Sequence, residues 1–379
     1  MPDLSLTRRG LIAALAATAA LPAVSFAAAS TERRTLVVLL RGGLDGLALV
    51  PHEGDRAFAR ARGDAAPEAP GLPLHDGFAL HPAMAPLHPH YDAGDLLVVH
   101  ATGLPYRQRS HFDAQDLLES GLDQPMASDS GWLNRAVTAS GRPGPAWALG
   151  TGVPLLLRGE ARSTSVDPTR RGRREDARLD RVRGLLASDP VLGDALEQGL
   201  ATRRLVDSLV VRRSKQLAAQ ADTLARLMAL PDGPRVATLE LNGWDTHTGQ
   251  SGGLNRRLGD LAEGLAAYAE ATPADVWAKT MIVCVTEFGR TVAGNGTGGT
   301  DHGVGGAALV FGGAVAGGVH ADWPGLGTAD LVEGRDLAIT TDLRAVLKGV
   351  LSTQLGLDDE ALATDVFPGS AAVAPIVLG

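Results

Sequence analysis

Three short polar clusters in the last third of the chain each follow an apolar run typical of a β-strand. They are residues 243–247 (Gly-Trp-Asp-Thr-His), 286–290 (Thr-Glu-Phe-Gly-Arg) and 300–303 (Thr-Asp-His-Gly). Carboxylate oxygens mixed with imidazole nitrogens at the ends of several strands are the usual protein side of a divalent-metal site. The pattern therefore favours metal-assisted hydrolysis.

Asp245 and His247 are the first pair of candidate ligands. They stand two residues apart, so on an extended segment both side chains point to the same side and can bind one ion. The alternative is an aspartate that caps a turn or helix beside a surface histidine. We interpret both residues as ligands.

Asp301 and His302 follow a glycine-rich stretch, residues 294–299. That stretch lacks the Gly-Lys-Ser/Thr ending of a phosphate-binding loop. We therefore expect a flexible loop that carries the two residues. Nothing in a loop requires an imidazole, so both residues are interpreted as metal ligands.

Glu287 and Arg290 either belong to the same site or form a local ion pair with each other. Asp45 is open to two interpretations as well. It lies in the turn 41–46 (Arg-Gly-Gly-Leu-Asp-Gly) after the first apolar run. Glycines there let the backbone approach an ion closely, yet Asp-Gly is also a common turn dipeptide. The residues alone leave both alternatives open.

Residues 106–115 (Tyr-Arg-Gln-Arg-Ser-His-Phe-Asp-Ala-Gln) place a serine where a helix begins. Ser110 suits the N-cap position and Asp113 the first turn. A helix N-terminus also stabilises an anion, so this serine beside a metal is a candidate nucleophile toward phosphate or sulfate esters. Arg107 and Arg109 either hold such an anion by paired hydrogen bonds or lie on the surface.

The first 29 residues have the features of an export signal. Residues 5–11 (Ser-Leu-Thr-Arg-Arg-Gly-Leu) form a twin-arginine pattern, residues 11–24 are apolar, and residues 27–29 (Ala-Ala-Ala) offer a cleavage site. The apolar stretch is shorter than the roughly 20 residues needed to span a bilayer. We expect a cleaved signal peptide, export by the twin-arginine translocase to the periplasm or the medium, and no membrane span in the mature chain.

Charge and composition argue against other classes of protein. The net charge is -8, and the arginine-rich residues 169–178 are interrupted by acidic residues, so we expect a solvated helix or loop and no nucleic-acid partner. A single cysteine, Cys284, excludes a disulfide within the chain and is interpreted as a buried thiol. Prolines break the spacing of His81, His88 and His90, which we interpret as loop and helix-start residues.

The elements that position these residues alternate along the chain. Unbroken apolar runs predict strands buried on both faces of a sheet at residues 36–40, 96–100, 236–241, 281–286 and 308–311. Helical patterns lie at residues 112–120, 214–230, 254–270 and 343–355, the last with cap candidates at 340–342. We expect an α/β fold with a mainly parallel sheet flanked by helices. Ligands of such sheets collect at the carboxyl ends of the strands.

Residues 159–213 differ from the rest of the chain. They are charged, rich in arginine and alanine, and show no clear strand. No flexible linker brackets them. We expect a helical cap inserted into a single domain that spans residues 30–379.

The motifs at residues 40–47, 80–84, 109–115, 243–247, 286–291 and 299–303, in this order after a twin-arginine leader, resemble the exported bacterial family catalogued as domain of unknown function 1501. The resemblance covers nearly the whole mature chain. That family is similar to the alkaline phosphatase and sulfatase superfamily. The resemblance implies a doubly wound α/β core and a hydrolytic site with one or two divalent metal ions.

The resemblance also implies roles for individual residues. The implied metal ligands are Asp45, Asp245, His247, Glu287, Asp301 and His302, and the implied catalytic residues are Ser110, His111 and Arg290. Phe288 stands where the superfamily has a histidine, so a second metal site would need Asp301 or His111 as a replacement ligand. Zinc, manganese, iron and calcium all suit a mixed set of carboxylates and imidazoles.

Two classes of function are compatible with these residues. The first is an exported metal-dependent hydrolase of phosphate or sulfate esters, whose substrate is a small anionic ester. The second is an exported binding or assembly protein that keeps the fold without turnover, because a fold alone does not determine function.

Overall fold

The apolar runs of the sequence form the centre of a nine-stranded sheet. The computed structural model of the protein describes residues 32–141, 144–169, 177–186, 188–210 and 216–378. The strands are β1 (Arg34–Arg41), β2 (Leu72–Pro73), β3 (Ala79–Leu80), β4 (Leu96–Gly103), β5 (Ala146–Leu149), β6 (Ser163–Val166), β7 (Val236–Asn242), β8 (Thr280–Val285), β9 (Gly306–Phe311), β10 (Gly318–His320) and β11 (Thr341–Asp342). All five predicted strands are present, and β2 and β3 pair separately as a small antiparallel ladder.

The order of strands in the large sheet is β10-β4-β9-β8-β1-β7-β5-β6, and β11 also pairs with β4. Strand β9 runs antiparallel to both of its neighbours, while the other pairs of this sheet are parallel. The carboxyl ends of β1, β4, β7 and β8 therefore share one edge of the sheet. Because β9 is reversed, the segment that enters it lies at the same edge.

Helices complete the alternation. The α-helices are α1 (Gly46–Leu49), α2 (Phe58–Arg62), α3 (His88–Asp92), α4 (His111–Ser120), α5 (Trp132–Ala139), α6 (Ala177–Leu186), α7 (Pro190–Leu209), α8 (Leu217–Ala229), α9 (Gln250–Ala271), α10 (Ala274–Trp277), α11 (Leu343–Leu355) and α12 (Asp359–Ala361). Short 3-10 turns lie at Gly63–Ala65, His75–Gly77, Pro82–Leu87 and Leu155–Leu157, and a π-turn lies at Leu362–Val366. The predicted helix at 343–355 is confirmed, and the side chain of Asp342 caps it through the amide of Arg344.

The sheet is buried on both faces. Alternate residues of β1 belong to two different apolar cores: Val37 and Leu39 pack into one, and Leu36, Val38 and Leu40 into the other. Side chains of a strand alternate between the two faces of its sheet, so this division places one core on each face. The mixed, mostly parallel α/β class that the sequence predicts is therefore confirmed.

The region from residue 159 to 213 contains a strand that its sequence does not indicate. Ser163–Val166 pairs in parallel with β5 and forms the edge of the sheet, so the expectation of no strand there is wrong. Helices α6 and α7 follow it. The four residues of β6 are mostly half-buried and include three hydroxyl side chains, which is why no apolar run marks the strand.

Two further observations concern the whole chain. Contacts group Glu32–Gly379 into one unit, and no helix in the part of the chain that the structure describes is long and apolar enough to cross a membrane. The predicted signal peptide and most of the arginine-rich stretch lie outside the described residues. Cys284 is buried in β8 as expected, and burial raises the pKa of its thiol to about 12.

Candidate metal centre

Three segments at one edge of the sheet bring three histidines and one aspartate together. His111 is the first residue of α4, which follows β4. Asp245 and His247 follow β7, and His302 lies in the segment that enters β9. The reversal of β9 matters here, because a parallel strand would place its preceding loop at the opposite edge.

The Nε2 atom of His302 lies between those of the other two histidines. His302 Nε2 lies 3.1 Å from His111 Nε2 and 3.0 Å from His247 Nε2. Asp245 adds its carboxylate, with Oδ1 3.3 Å from His302 Nε2 and 3.1 Å from His247 Nε2, and Oδ2 3.5 Å from His111 Nε2. We call His111, Asp245, His247 and His302 the imidazole cluster.

The opposite nitrogen of each ring is already engaged. His302 Nδ1 donates to the carbonyl oxygen of Arg109 at 2.9 Å. His111 Nδ1 donates to Glu287 Oε1 at 2.8 Å, and His247 Nδ1 donates to Asp301 Oδ1 at 3.0 Å. Because carbonyl and carboxylate oxygens only accept, each Nδ1 carries the proton and, in the neutral rings, each Nε2 exposes a lone pair.

Facing lone pairs about 3 Å apart repel each other unless a cation lies among them. One shared proton can satisfy a single pair, but the cluster has three imidazoles and a carboxylate. A tetrahedral ion with ligand distances of about 2.0–2.1 Å sets its ligand atoms about 3.3–3.4 Å apart. The distances of 3.0–3.5 Å fall around that value. His111, Asp245 and His302 each offer one ligand atom within 4.8 Å of the other two, so these three residues fit a divalent metal ion, and His247 lies beside them.

Two carboxylates hold the rings rather than facing the cluster. Glu287 is buried, and its Oε1 also accepts from the amide of Gly42 at 2.8 Å and from Gln115 Nε2 at 3.0 Å. Asp301 Oδ1 also accepts from Asn295 Nδ2 at 3.0 Å. Carboxylates that accept from the distal nitrogen of a metal-binding histidine fix its tautomer and raise its basicity. The structure thus brings both predicted ligands to the site as supports for the imidazoles.

Arg290 supports the carboxylate of the cluster. The sequence leaves open an ion pair between Glu287 and Arg290, but the buried guanidinium instead donates to Asp245 Oδ1 at 2.7 Å. It also donates to the hydroxyl and the carbonyl of Thr300, at 3.2 and 2.5 Å. The alternative of a local ion pair between Glu287 and Arg290 is therefore wrong. Arg290 instead connects Asp245 to the segment before His302.

The pKa shifts follow from these contacts. Burial alone would raise the pKa of Glu287, but hydrogen bonds from His111 and Gln115 outweigh it, and the pKa lies below its ordinary value. The hydrogen bond to Glu287 raises the pKa of His111. Desolvation lowers the pKa of His302. Without an ion, His111 therefore takes up a proton at a higher pH than His302, and the neutral form that binds metal is favoured at His302.

Close backbone approach explains two glycines of the turn after β1. A Cβ on Gly42, whose φ is +125°, would lie 2.4 Å from the amide nitrogen of Asp245. A Cβ on Gly43, with φ +72°, would lie 2.7 Å from the ring of Phe288. Phe288 in turn packs its ring against those of His111 and His302, with centroids 4.8 and 4.9 Å apart. It forms an apolar wall where the resemblance implies an imidazole.

Asp45 has a structural role. Its side chain is 1 % exposed and forms an ion pair with the fully buried Arg62 at 2.7 Å. Asp45 Oδ2 also accepts from Gln250 at 2.7 Å, and Oδ1 caps α1 through the amide of Ala48 at 3.0 Å. Both oxygens are engaged, so the structure supports the turn interpretation of this residue, and the cap of α1 is an addition to it.

Ser110 occupies the N-cap position of α4, but its hydroxyl caps no amide of that helix. The capping function predicted for its side chain is therefore wrong. Arg109, with φ +59°, does not offer a free guanidinium to an anion, because it binds Asp336 at 2.6 Å and Glu333 at 2.7 Å. Arg107 is exposed, in keeping with the surface alternative.

Three groups that support the imidazole cluster were not identified from the sequence. Gln115 stands four residues after His111, on the same face of α4, and that spacing is a signal that could have revealed it. Asn295 is a polar residue inside the glycine-rich stretch. The carbonyl of Arg109 has no signal in the sequence, because any residue carries one and only its left-handed backbone turns it toward His302.

Comparisons with known proteins place the chain as follows. No curated protein matches it. Among solved structures, the crystal structure of Ps i-CgsB in complex with k-i-k-neocarrahexaose is similar at 10 % identity and a TM-score of 0.41, over 90 % of this chain and 77 % of that one. The model of a protein family of unknown function, DUF1501, matches residues 32–367. That match spans most of the sequence and most of the described sheet, so the chain belongs to the DUF1501 family.

Proposed function

We propose that this protein is an exported metal-dependent hydrolase of phosphate or sulfate esters. The observation that supports the proposal is that His302 Nε2 lies close to the Nε2 atoms of His111 and His247 and to Asp245, while the Nδ1 of each ring donates to an oxygen acceptor. Arranging three imidazoles in this way without a cation would be unfavourable. The substrate class rests on the resemblance to the alkaline phosphatase and sulfatase superfamily.

The donor set narrows the choice of ion. Calcium prefers six to eight oxygen ligands, whereas imidazole suits zinc, iron and other transition metals. Imidazole nitrogens beside a single carboxylate therefore favour zinc or iron over calcium. A divalent ion held there would supply Lewis acidity toward an ester oxygen and lower the pKa of a water molecule.

The site is open to solvent, as a catalytic site must be. The side chains of Asp245 and His247 are 41 % and 42 % exposed. Structural metal sites are closed by four protein ligands, whereas catalytic ones keep a position accessible to water or substrate. The protein residues orient the cluster: Glu287, Asp301 and the carbonyl of Arg109 hold the rings, and Arg290 holds Asp245.

Ser110 is the proposed nucleophile. It directly precedes His111, and its hydroxyl does not serve the helix as a cap. Ser110→Ala should then abolish turnover of an ester while leaving the metal content unchanged. The matched control is Ser208→Ala, because Ser208 is an exposed serine in α7. Unchanged turnover in Ser110→Ala would mean that water is the nucleophile.

Elemental analysis of the full-length chain purified after its own export tests the function. We expect about one divalent ion per chain and hydrolysis of p-nitrophenyl phosphate, bis(p-nitrophenyl) phosphate or p-nitrophenyl sulfate. No metal and no hydrolysis after addition of zinc, manganese, calcium or magnesium would exclude the enzyme. Stoichiometric metal without hydrolysis would favour the alternative of an exported binding or assembly protein.

Export itself is a further part of the proposal. It rests on Arg8 and Arg9 and the apolar stretch after them, which would engage the twin-arginine translocase. Replacing both arginines by lysine should retain the chain in the cytoplasm, whereas replacing the exposed pair Arg203 and Arg204 by lysine should not. Cell fractionation measures the difference, and equal export of both variants would contradict it.

A further inference from the structure

A cavity of about 530 Å³ lies next to the imidazole cluster and is lined by three segments. Helix α2 contributes Arg60, the loop 291–295 and Asp301 form a second wall, and the loop 326–335 forms the third. Asp301 belongs to both places, because its Oδ1 accepts from His247 Nδ1. The volume lies in the range of ordinary small-molecule sites, about 300–1,000 Å³.

Two guanidinium groups line this cavity. Arg60 is exposed and has no hydrogen-bonding or ionic partner among the residues that the structure describes. Arg335 donates from Nη2 to the carbonyl of His302 at 2.7 Å and approaches Asp336 through Nε at 3.2 Å. Those contacts hold its side chain in place and leave Nη1 for a ligand.

The carboxylates in and behind the cavity already have partners in the protein. Asp301 Oδ1 accepts hydrogen bonds from His247 Nδ1 and Asn295 Nδ2, both at 3.0 Å. Asp336 is buried behind Arg335 and binds Arg109. Arg60 therefore brings to the cavity a positive charge that no described carboxylate pairs with.

The wall that carries Arg60 is held rigidly against the site. Arg62, two residues further along α2, donates to the carbonyls of Thr291 and Val292 at 3.3 and 2.9 Å. Its ion pair with Asp45 anchors the same helix to the sheet edge. The position of Arg60 is thus defined by buried contacts rather than by the exposed side chain itself.

We propose that this cavity binds a second oxyanion of the substrate, a sulfate, phosphate or carboxylate remote from the scissile ester. The inference rests on the proposed function only in calling the ligand a substrate. An oxyanion can bind in this cavity whether or not the protein hydrolyses esters. Arg60 and Arg335 recognise the anion by charge-assisted hydrogen bonds. The preferred substrate is then an ester with at least two anionic groups.

Calorimetric titration of the full-length protein with inorganic sulfate tests the site, both metal-loaded and after treatment with EDTA. Binding that persists without metal belongs to the cavity. We expect Arg60→Ala to weaken sulfate binding about tenfold, because one charge-assisted contact is lost. The control is Arg56→Ala, which removes an exposed arginine of the neighbouring segment that does not line this cavity. It should change the affinity for sulfate less than about twofold.

Two substitutions at Thr328, an exposed residue of the cavity wall, test whether sulfate binding depends on the charge of the cavity. Neither of them removes an arginine. Thr328→Glu should abolish sulfate binding by repulsion, and Thr328→Gln, of the same size, should retain it. Equal binding by these two variants, or by Arg60→Ala and the wild type, would overturn the proposal. Sulfate binding without hydrolysis would contradict the proposed function only, and hydrolysis without sulfate binding would contradict the oxyanion site only.

Discussion

The Nε2 atoms of His247 and His302 face each other at 3.0 Å, although the Nδ1 atoms of both rings already donate to oxygen acceptors. Neutral imidazoles in this arrangement present two lone pairs to each other. Asp245 stands beside both, with Oδ1 3.1 Å from His247 Nε2 and 3.3 Å from His302 Nε2. This relationship is the reason to treat the site as a metal centre, and it makes the following outcomes testable.

Replacing His302 by glutamine should remove the metal. His302 is the ring that contacts both other imidazoles, so its loss breaks every contact among them. We expect the affinity for zinc to fall by more than about 100-fold, beyond the usual effect of a supporting residue. Competition with a chromogenic chelator measures the affinity.

The control for that variant is His88→Gln, because His88 contacts Pro73 and Asp92 rather than the cluster. Its affinity for zinc should equal that of the wild type. A His302→Gln protein that retained wild-type affinity would mean that the cluster is not a metal site.

Replacing Glu287 by glutamine should weaken metal binding without abolishing it. The buried carboxylate accepts from His111 Nδ1, and a neutral amide accepts this hydrogen bond less strongly. We expect affinity for zinc to fall about 10- to 100-fold, as for other residues that support a ligand. Glu240→Gln, which breaks an ion pair with Arg41 at 2.9 Å, is the control. Complete loss of the metal in Glu287→Gln would instead make the carboxylate a ligand.

The pair Asp45 and Arg62 should govern stability and not metal content. Arg62→Met leaves a buried, uncompensated carboxylate, which costs about 3–5 kcal/mol in the free energy of unfolding. Adding Asp45→Asn to that variant should recover part of the loss, because the charge is then removed as well. Urea denaturation measures both. Wild-type metal content is expected for Asp45→Asn, and loss of metal in a folded Asp45→Asn protein would restore Asp45 as a ligand.

His100 should make the protein less stable in acid. Burial lowers the pKa of its imidazole from 6.5 to about 4, so between these values the unfolded chain binds a proton that the folded chain does not. The stabilisation is complete above pH 6.5 and is lost as the pH falls toward 4, by about 3 kcal/mol in all. Urea denaturation at a series of pH values measures it.

His100→Gln should flatten this dependence, since glutamine does not titrate and can still donate to the carbonyl of Val50, as His100 Nε2 does at 3.0 Å. The exposed His320 provides the control, and His320→Gln should keep the wild-type slope. Identical slopes in the wild type and His100→Gln would show that His100 does not control the acid limit.

Much of the sheet edge could be predicted from the sequence. The five central strands are continuous apolar runs, and residues such as Asp245 and His302 follow or precede them directly. Hydrophobic patterning and strand ends are local properties, which neighbouring residues determine. Strand β6 was missed for the same reason, because its hydroxyl side chains leave no apolar run to detect.

The sequence by itself therefore determined which polar side chains gather at one edge of an α/β sheet. Only the tertiary structure decided their roles: Arg290 pairs with Asp245 and not with Glu287, Asp45 pairs with Arg62, and Glu287 supports His111. The reason is that a hydrogen bond depends on distances of about 3 Å between atoms, and the paired residues are up to 176 residues apart along the chain. The reversed strand β9 and the left-handed backbone of Arg109 position His302, and neither has a signature in the sequence.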